Sequence, residues 1–227
     1  MILAHLTTAA RRRTTPTGAF FPNFIPPRLR APDPDDVVGW DVDSLARLFH
    51  RTRGGTRPYA RAERLAAALQ AGTVTLQPVP IAWLPPRAPL QTLTRRLAAA
   101  GSPAVTEGVA HARLRLGAYA LAAAMARPRD WVLFERPSAC GFRPDVTLVR
   151  ANGRPALAIE CGGVSGDTLL DHVAAGGVPA VLILPFAMLA DPPPALRGWL
   201  LRPSDGRSPR LPRAAAVIAA HARLDAP

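Results

Sequence analysis

The chain has 227 residues, 48% of them apolar, enough to bury one good core with a small appendage. Its formal charge of +12 favours an anionic partner, nucleic acid first and a membrane surface second. The longest apolar run, 178–190, is interrupted by Pro179 and Pro185 and falls short of the ~20 residues of a membrane span, and the two cysteines, Cys140 and Cys161, build neither a disulfide framework nor a zinc quartet.

All 28 basic residues are arginine and none is lysine. The abundance of Ala, Pro and Gly beside them reads as the composition of a GC-rich genome, and the alternative is selection for the bidentate phosphate contacts of guanidinium groups. Residues 1–6 are too short for a secretory h-region and Arg11-Arg12-Arg13 follows at once, so the expected location is cytoplasmic.

Residues 1–40 lack sustained periodicity and carry Pro26-Pro27 and the Pro/Asp stretch 32–36, which predicts an extended or disordered basic arm. Its arginine triplet is either a phosphate-binding element or a solvated end. Residues 41–100 predict a small helical region: Leu45, Leu48 and Phe49 share one helix face, Leu65, Ala68 and Leu69 share another, and 73–79 alternates as a strand before Pro85-Pro86. With arginines at 47, 51, 53, 57, 61 and 64, this region reads either as a winged-helix-like unit facing DNA or as a solvated basic face.

The span 101–190 is the expected core, an α/β unit. A helix is predicted over 109–125, capped by Thr106 and stopped at Pro128, followed by strands over 131–135, 145–150 and 155–161. A helix over 167–175 closed by Gly176-Gly177 and a fully buried strand over 178–184 complete an αβββαβ order. Residues 191–227 read as a Pro-rich extension with a helix at 213–223.

Ala151-Asn152-Gly153-Arg154 is the strongest hairpin signal in the chain. A two-residue Asn152-Gly153 turn fixes a register that sets Asp145 opposite Glu160, with Cβ atoms ~5 Å apart, where like charges destabilise unless neutralised. A divalent cation is the natural neutraliser, and hard carboxylate oxygens select Mg²⁺ or Mn²⁺. The same alternation sends Val146, Leu148, Leu157 and Ile159 to one face, read as core, and Asp145, Thr147, Ala158 and Glu160 to the other, read as site. The structural alternative pairs Asp145 with Arg143 and leaves Glu160 a solvated edge residue.

Glu107 on the first helix, Arg143-Pro144-Asp145-Val146 opening one strand and Ala158-Ile159-Glu160-Cys161-Gly162 closing the next resemble the PD-(D/E)XK nuclease superfamily. The resemblance runs from Thr106 to Phe186 and rests on short motifs. It implies a restriction-endonuclease-like core, Asp145 and Glu160 as ligands of Mg²⁺ or Mn²⁺, and Glu107 as the assisting helix acid. The 143–146 and 159–160 segments resemble CoiA-like competence nucleases, and the basic N-terminal helices resemble replication-relaxation proteins of mobile elements. In the superfamily a lysine two residues after the second acid orients or activates the attacking water; here that position is Gly162. The hairpin register places Arg143 opposite Gly162, so Arg143 is expected to project into the missing lysine's place and stabilise charge developing on phosphate, without acting as a base.

His111 follows Glu107 on the same helix face and reads as a proton relay or metal ligand, or as a salt-bridge partner. Glu135 is either a further ligand or an ion-pair partner of Arg136 or Arg143. Arg136, Arg143 and His172 are the expected nucleic-acid contacts. Asp167 and Asp171 share the helix of His172, and the helix dipole alone explains Asp167. Cys161 alternates away from Glu160 and reads as core.

Two functional readings follow. The first is a metal-dependent nuclease hydrolysing phosphodiester bonds in nucleic acid, DNA foremost. The second is a catalytically inactive nuclease-fold DNA-binding protein acting in replication, mobilisation or DNA processing, which Gly162 favours. A third class, a polypeptide-binding protein whose charge reflects genome composition, would lack the steep salt dependence of nucleic-acid binding. No membrane partner is expected, and no sequence signal sets the oligomeric state.

Overall fold

The computed structural model describes Leu45 and residues 62–103, 108–175, 177–190 and 196–224. Its elements in chain order are α1 (Glu63–Gln70), β1 (Val74–Pro80), α2 (Leu90–Ala99), α3 (Val109–Met125), β2 (Trp131–Phe134), β3 (Val146–Val149), β4 (Pro155–Cys161), α4 (Gly166–Ala174), β5 (Val181–Leu184), β6 (Arg197–Pro203) and α5 (Ala214–Ala222), with a 3₁₀ turn at Phe186–Leu189 after β5. Among the described residues no helix is long and apolar enough to cross a membrane.

β5, an unbroken apolar run, and β3, apolar but for Thr147, are buried at every position, the pattern of strands covered on both faces. They lie inside a six-stranded sheet of order β1-β6-β5-β4-β3-β2. Every neighbouring pair is antiparallel except β4 and β5, which are parallel and joined through α4. On one face Leu114 and Leu121 of α3 and Val217 of α5 pack against Val146, Leu148, Leu157, Ile159 and Leu182. On the other, Leu65 of α1 and Leu169 of α4 pack with Leu45, Ala158, Val181, Ile183 and Trp199. The face of Ala158, expected to be an open site, is thus a second core over most of its area, because α4 must return across it to make the parallel β5.

The boundaries expected at residues 100 and 190 do not separate sheets. β1 pairs with β6 along seven residues, and β6 pairs with β5, so both flanking regions complete one sheet. Pro78 and Pro80 are tolerated because β1 is an edge strand. Of the winged-helix-like expectation, α1 and β1 belong to this sheet, and of the preceding helix only the helical, fully buried Leu45 is described. The basic arm and Glu107 lie outside the described residues.

The β3–β4 hairpin departs from the expected two-residue turn. Arg150 N donates to Arg154 O at 2.9 Å and Gly153 N to Arg150 O at 2.8 Å, bracketing a three-residue loop with Gly153 at φ +79°, a left-handed conformation that glycine adopts readily. The longer loop sets Val149 opposite Pro155, and a bulge at Ala156 then restores Leu148 opposite Leu157 and Val146 opposite Ile159. The two one-residue changes cancel, so Asp145 and Glu160 approach as the simpler turn predicts.

Candidate functional site

Asp145 stands immediately before β3 and Glu160 is the penultimate residue of β4. The Cys161 N–H donates to Asp145 Oδ2 at 2.8 Å and ties the two strand ends together. α3 brings His111 Nε2 to 3.4 Å and Arg115 Nε to 3.8 Å from Asp145 Oδ1. Arg115 is 1% exposed; its Nη2 lies 3.1 Å from Glu135 Oε1 and donates to Ser102 Oγ at 3.1 Å, and its guanidinium carbon is 5.4 Å from the centre of the Phe134 ring. From the other face of the sheet, α4 contributes His172, fully buried, with Nε2 3.0 Å from Glu160 Oε1. The two acids therefore meet at the sheet end while each is held from a different helix.

Burial raises the Glu160 carboxyl from its ordinary 4.5 to about 7. The hydrogen bond from His172 opposes that shift, the negative charge of Asp145 adds to it, and the charges of His172 and His111 oppose it. A cation between the two carboxylates would relieve both the burial and the repulsion. Among the described residues no three His, Cys, Asp or Glu side chains converge to hold a metal ion. Two hard carboxylates nevertheless fit Mg²⁺ or Mn²⁺, which commonly take one or two protein carboxylates and fill the remaining positions with water and substrate oxygens.

Several expected residues have other surroundings. His172, expected at a nucleic-acid surface, is buried between Glu160 and Cys140, whose Sγ lies 3.9 Å from its Nδ1, and the Phe142 ring meets it edge-on at 5.9 Å. Glu135 pairs with Arg115 instead of Arg136 or Arg143. Asp167 Oδ1 accepts the backbone N–H groups of Arg64 and Leu65, and Asp171 pairs with Arg64 at 2.7 Å, so both acids anchor α1 to α4. Arg136 donates to Gly153 O at 3.3 Å across the hairpin. Cys161 lies in the first core, as its alternation predicts.

Arg143 is exposed and does not fill the space beside Gly162. Phe186, at the start of the 3₁₀ turn, does: a Cβ on Gly162 would stand too close to its Cζ, a clash with the ring. Gly162 also has φ +80°, a left-handed conformation costly for any residue with a side chain. Backbone and packing thus both exclude a lysine at 162. The residue of the candidate site that the sequence reading missed is Arg115. Its signal is an arginine inside the apolar run Leu114 to Leu116, one turn after His111 and two after Glu107.

The raised Glu160 carboxyl has a definite consequence for stability. Folded Glu160 holds a proton up to about 7 while the unfolded chain loses it near 4.5, so stability is fully present below 4.5 and falls as pH rises through that window. Urea unfolding should show this loss in the native chain, and Glu160→Gln should remove it; an unchanged slope in the variant would mean that Glu160 is ionised when folded. At Gly162, substitution by Ala should cost roughly 1–3 kcal/mol of stability through backbone strain and overpacking. In a double-mutant cycle, combining it with Phe186→Ala should cost less than the sum of the single changes, and strict additivity would mean that the ring does not occupy that space.

No known protein family, curated protein or solved structure matches the chain.

Proposed function

We propose that the chain is a metal-dependent nuclease-like protein that hydrolyses phosphodiester bonds in nucleic acid, DNA foremost, at the Asp145–Glu160 pair. The observation that carries this reading is the buried Glu160 carboxyl, raised to about 7 partly by the adjacent Asp145, which gains free energy from a bound divalent cation. The succession α3-β2-β3-β4-α4-β5, an antiparallel meander followed by a parallel strand, supports a restriction-endonuclease-like core. Asp145 and Glu160 hold Mg²⁺ or Mn²⁺, which supplies charge stabilisation on the phosphate and a more acidic bound water. Arg115 fixes Asp145 and His172 fixes Glu160, which limits the rotamer freedom lost when the pair engages an ion. With glycine at 162, His111 beside Asp145 takes the role of proton acceptor.

A second reading, a nuclease-fold protein that binds DNA without cutting it, draws on one observation: Phe186 fills the space beside Gly162. Cleavage of labelled single- and double-stranded DNA and RNA in Mg²⁺, Mn²⁺ or EDTA separates the two. The nuclease reading expects metal-dependent cutting, reduced about 100-fold or more by Asp145→Ala and by Glu160→Ala. Retained binding without cutting in any metal would replace it by the second reading.

A further inference from the structure

The two short helices on the α4 side, α1 and α4, leave side chains of the far edge strand β2 exposed. Leu133 pairs with Thr147, Thr147 with Ala158 and Ala158 with Val181, which puts Leu133, and Trp131 two residues before it, on the same face as the α4 core. Trp131 is 49% and Leu133 38% exposed, while their neighbours Val132 and Phe134 pack into the α3 side. A flat aromatic and an aliphatic side chain thus stand open on β2, beside the strand that Asp145 precedes.

Against this surface opens a cleft of 180 Å³ whose walls include Arg136, Pro137, Pro144, Thr147 and Pro155. Its wall residue Pro144 immediately precedes Asp145, while the carboxylates themselves do not line the cleft. Two polar atoms in its lining, Arg136 Nη1 and Thr147 Oγ1, are buried and have no hydrogen-bond partner among the described residues. Orphaned buried donors and hydroxyls are costly, and a ligand edge that pairs with them recovers that cost. A cleft of 180 Å³ suits one heterocyclic ring and is too small for a base pair. Its proline walls suit the faces of a ring, and its guanidinium and hydroxyl suit a carbonyl or amine edge. Residues 126–154 carry six arginines against three acids, a charge balance complementary to a phosphate backbone.

We infer that this face receives single-stranded nucleic acid, one unpaired base stacking on Trp131 and another entering the Arg136–Thr147 cleft. The inference rests on the nuclease reading and names its substrate class. In a duplex the faces and pairing edges of the bases are covered and only their groove edges are open, whereas a single strand offers face and pairing edge together.

The test is fluorescence anisotropy of a labelled oligodeoxynucleotide, single-stranded or annealed to its complement, with the full chain in EDTA so that nothing is cut. The single strand should bind about 10-fold or more tightly than the duplex, and Trp131→Ala should remove about 10-fold of that affinity while Trp131→Phe retains most of it. Thr147→Val, which keeps the shape but not the hydroxyl, should weaken the single strand alone. Equal binding of duplex and single strand, indifferent to Trp131→Ala, would overturn the inference and leave the nuclease reading standing. A native dimer that Trp131→Ala converts to a monomer would overturn it in favour of a second copy on this face. No binding to either strand form would overturn the inference, while metal-dependent cutting in the cleavage assay would still uphold the nuclease reading.

Discussion

Two carboxylates held close together at the margin of an apolar interior repel each other and lose hydration, and the surrounding structure is arranged around that cost. Asp145 is balanced by the buried Arg115 and by His111 from α3, and its second oxygen receives the Cys161 N–H. Glu160 Oε1 meets His172 from α4 at 3.0 Å, and burial raises the Glu160 carboxyl to about 7. The two acids differ in position: Glu160 lies within β4 beneath α4, whereas Asp145 lies just outside β3, where the Arg115 guanidinium reaches it.

The same packing limits the chemistry. Phe186 enters at Gly162 because the chain turns sharply after β5, and that ring closes the α3 side of the site against a further cation. Arg115 cannot replace a lysine there, since it is committed to Glu135, Ser102 and Asp145 and is 1% exposed. It acts as a clamp on the acid. On the proposed nuclease reading, proton transfer would fall to His111 and cation binding to the two carboxylates.

The αβββαβ order was legible because its strands are either unbroken apolar runs, as in Val181–Leu184, or bounded by strong turn residues, and because α3 is long. β6 was not: Arg197–Pro203 follows three prolines, carries arginine near both ends, and becomes a strand only between β1 and β5. α2 was hidden among Pro85, Pro86 and Pro89. The approach of Asp145 to Glu160 was legible through alternation, although the turn that produces it has three residues and a compensating bulge. Arg115–Asp145, His172–Glu160 and Phe186–Gly162 were not legible. Each depends on how a helix or turn distant in sequence crosses the sheet, which no local pattern encodes.

The most direct measurement is calorimetric titration of the full chain with Mn²⁺ just below pH 7, repeated in buffers of different ionisation enthalpy to count protons released. A cation site at Asp145 and Glu160 predicts saturable binding that expels the Glu160 proton and is lost in both Asp145→Asn and Glu160→Gln. Binding that is absent from the native chain, or that persists without proton release in those variants, would contradict it.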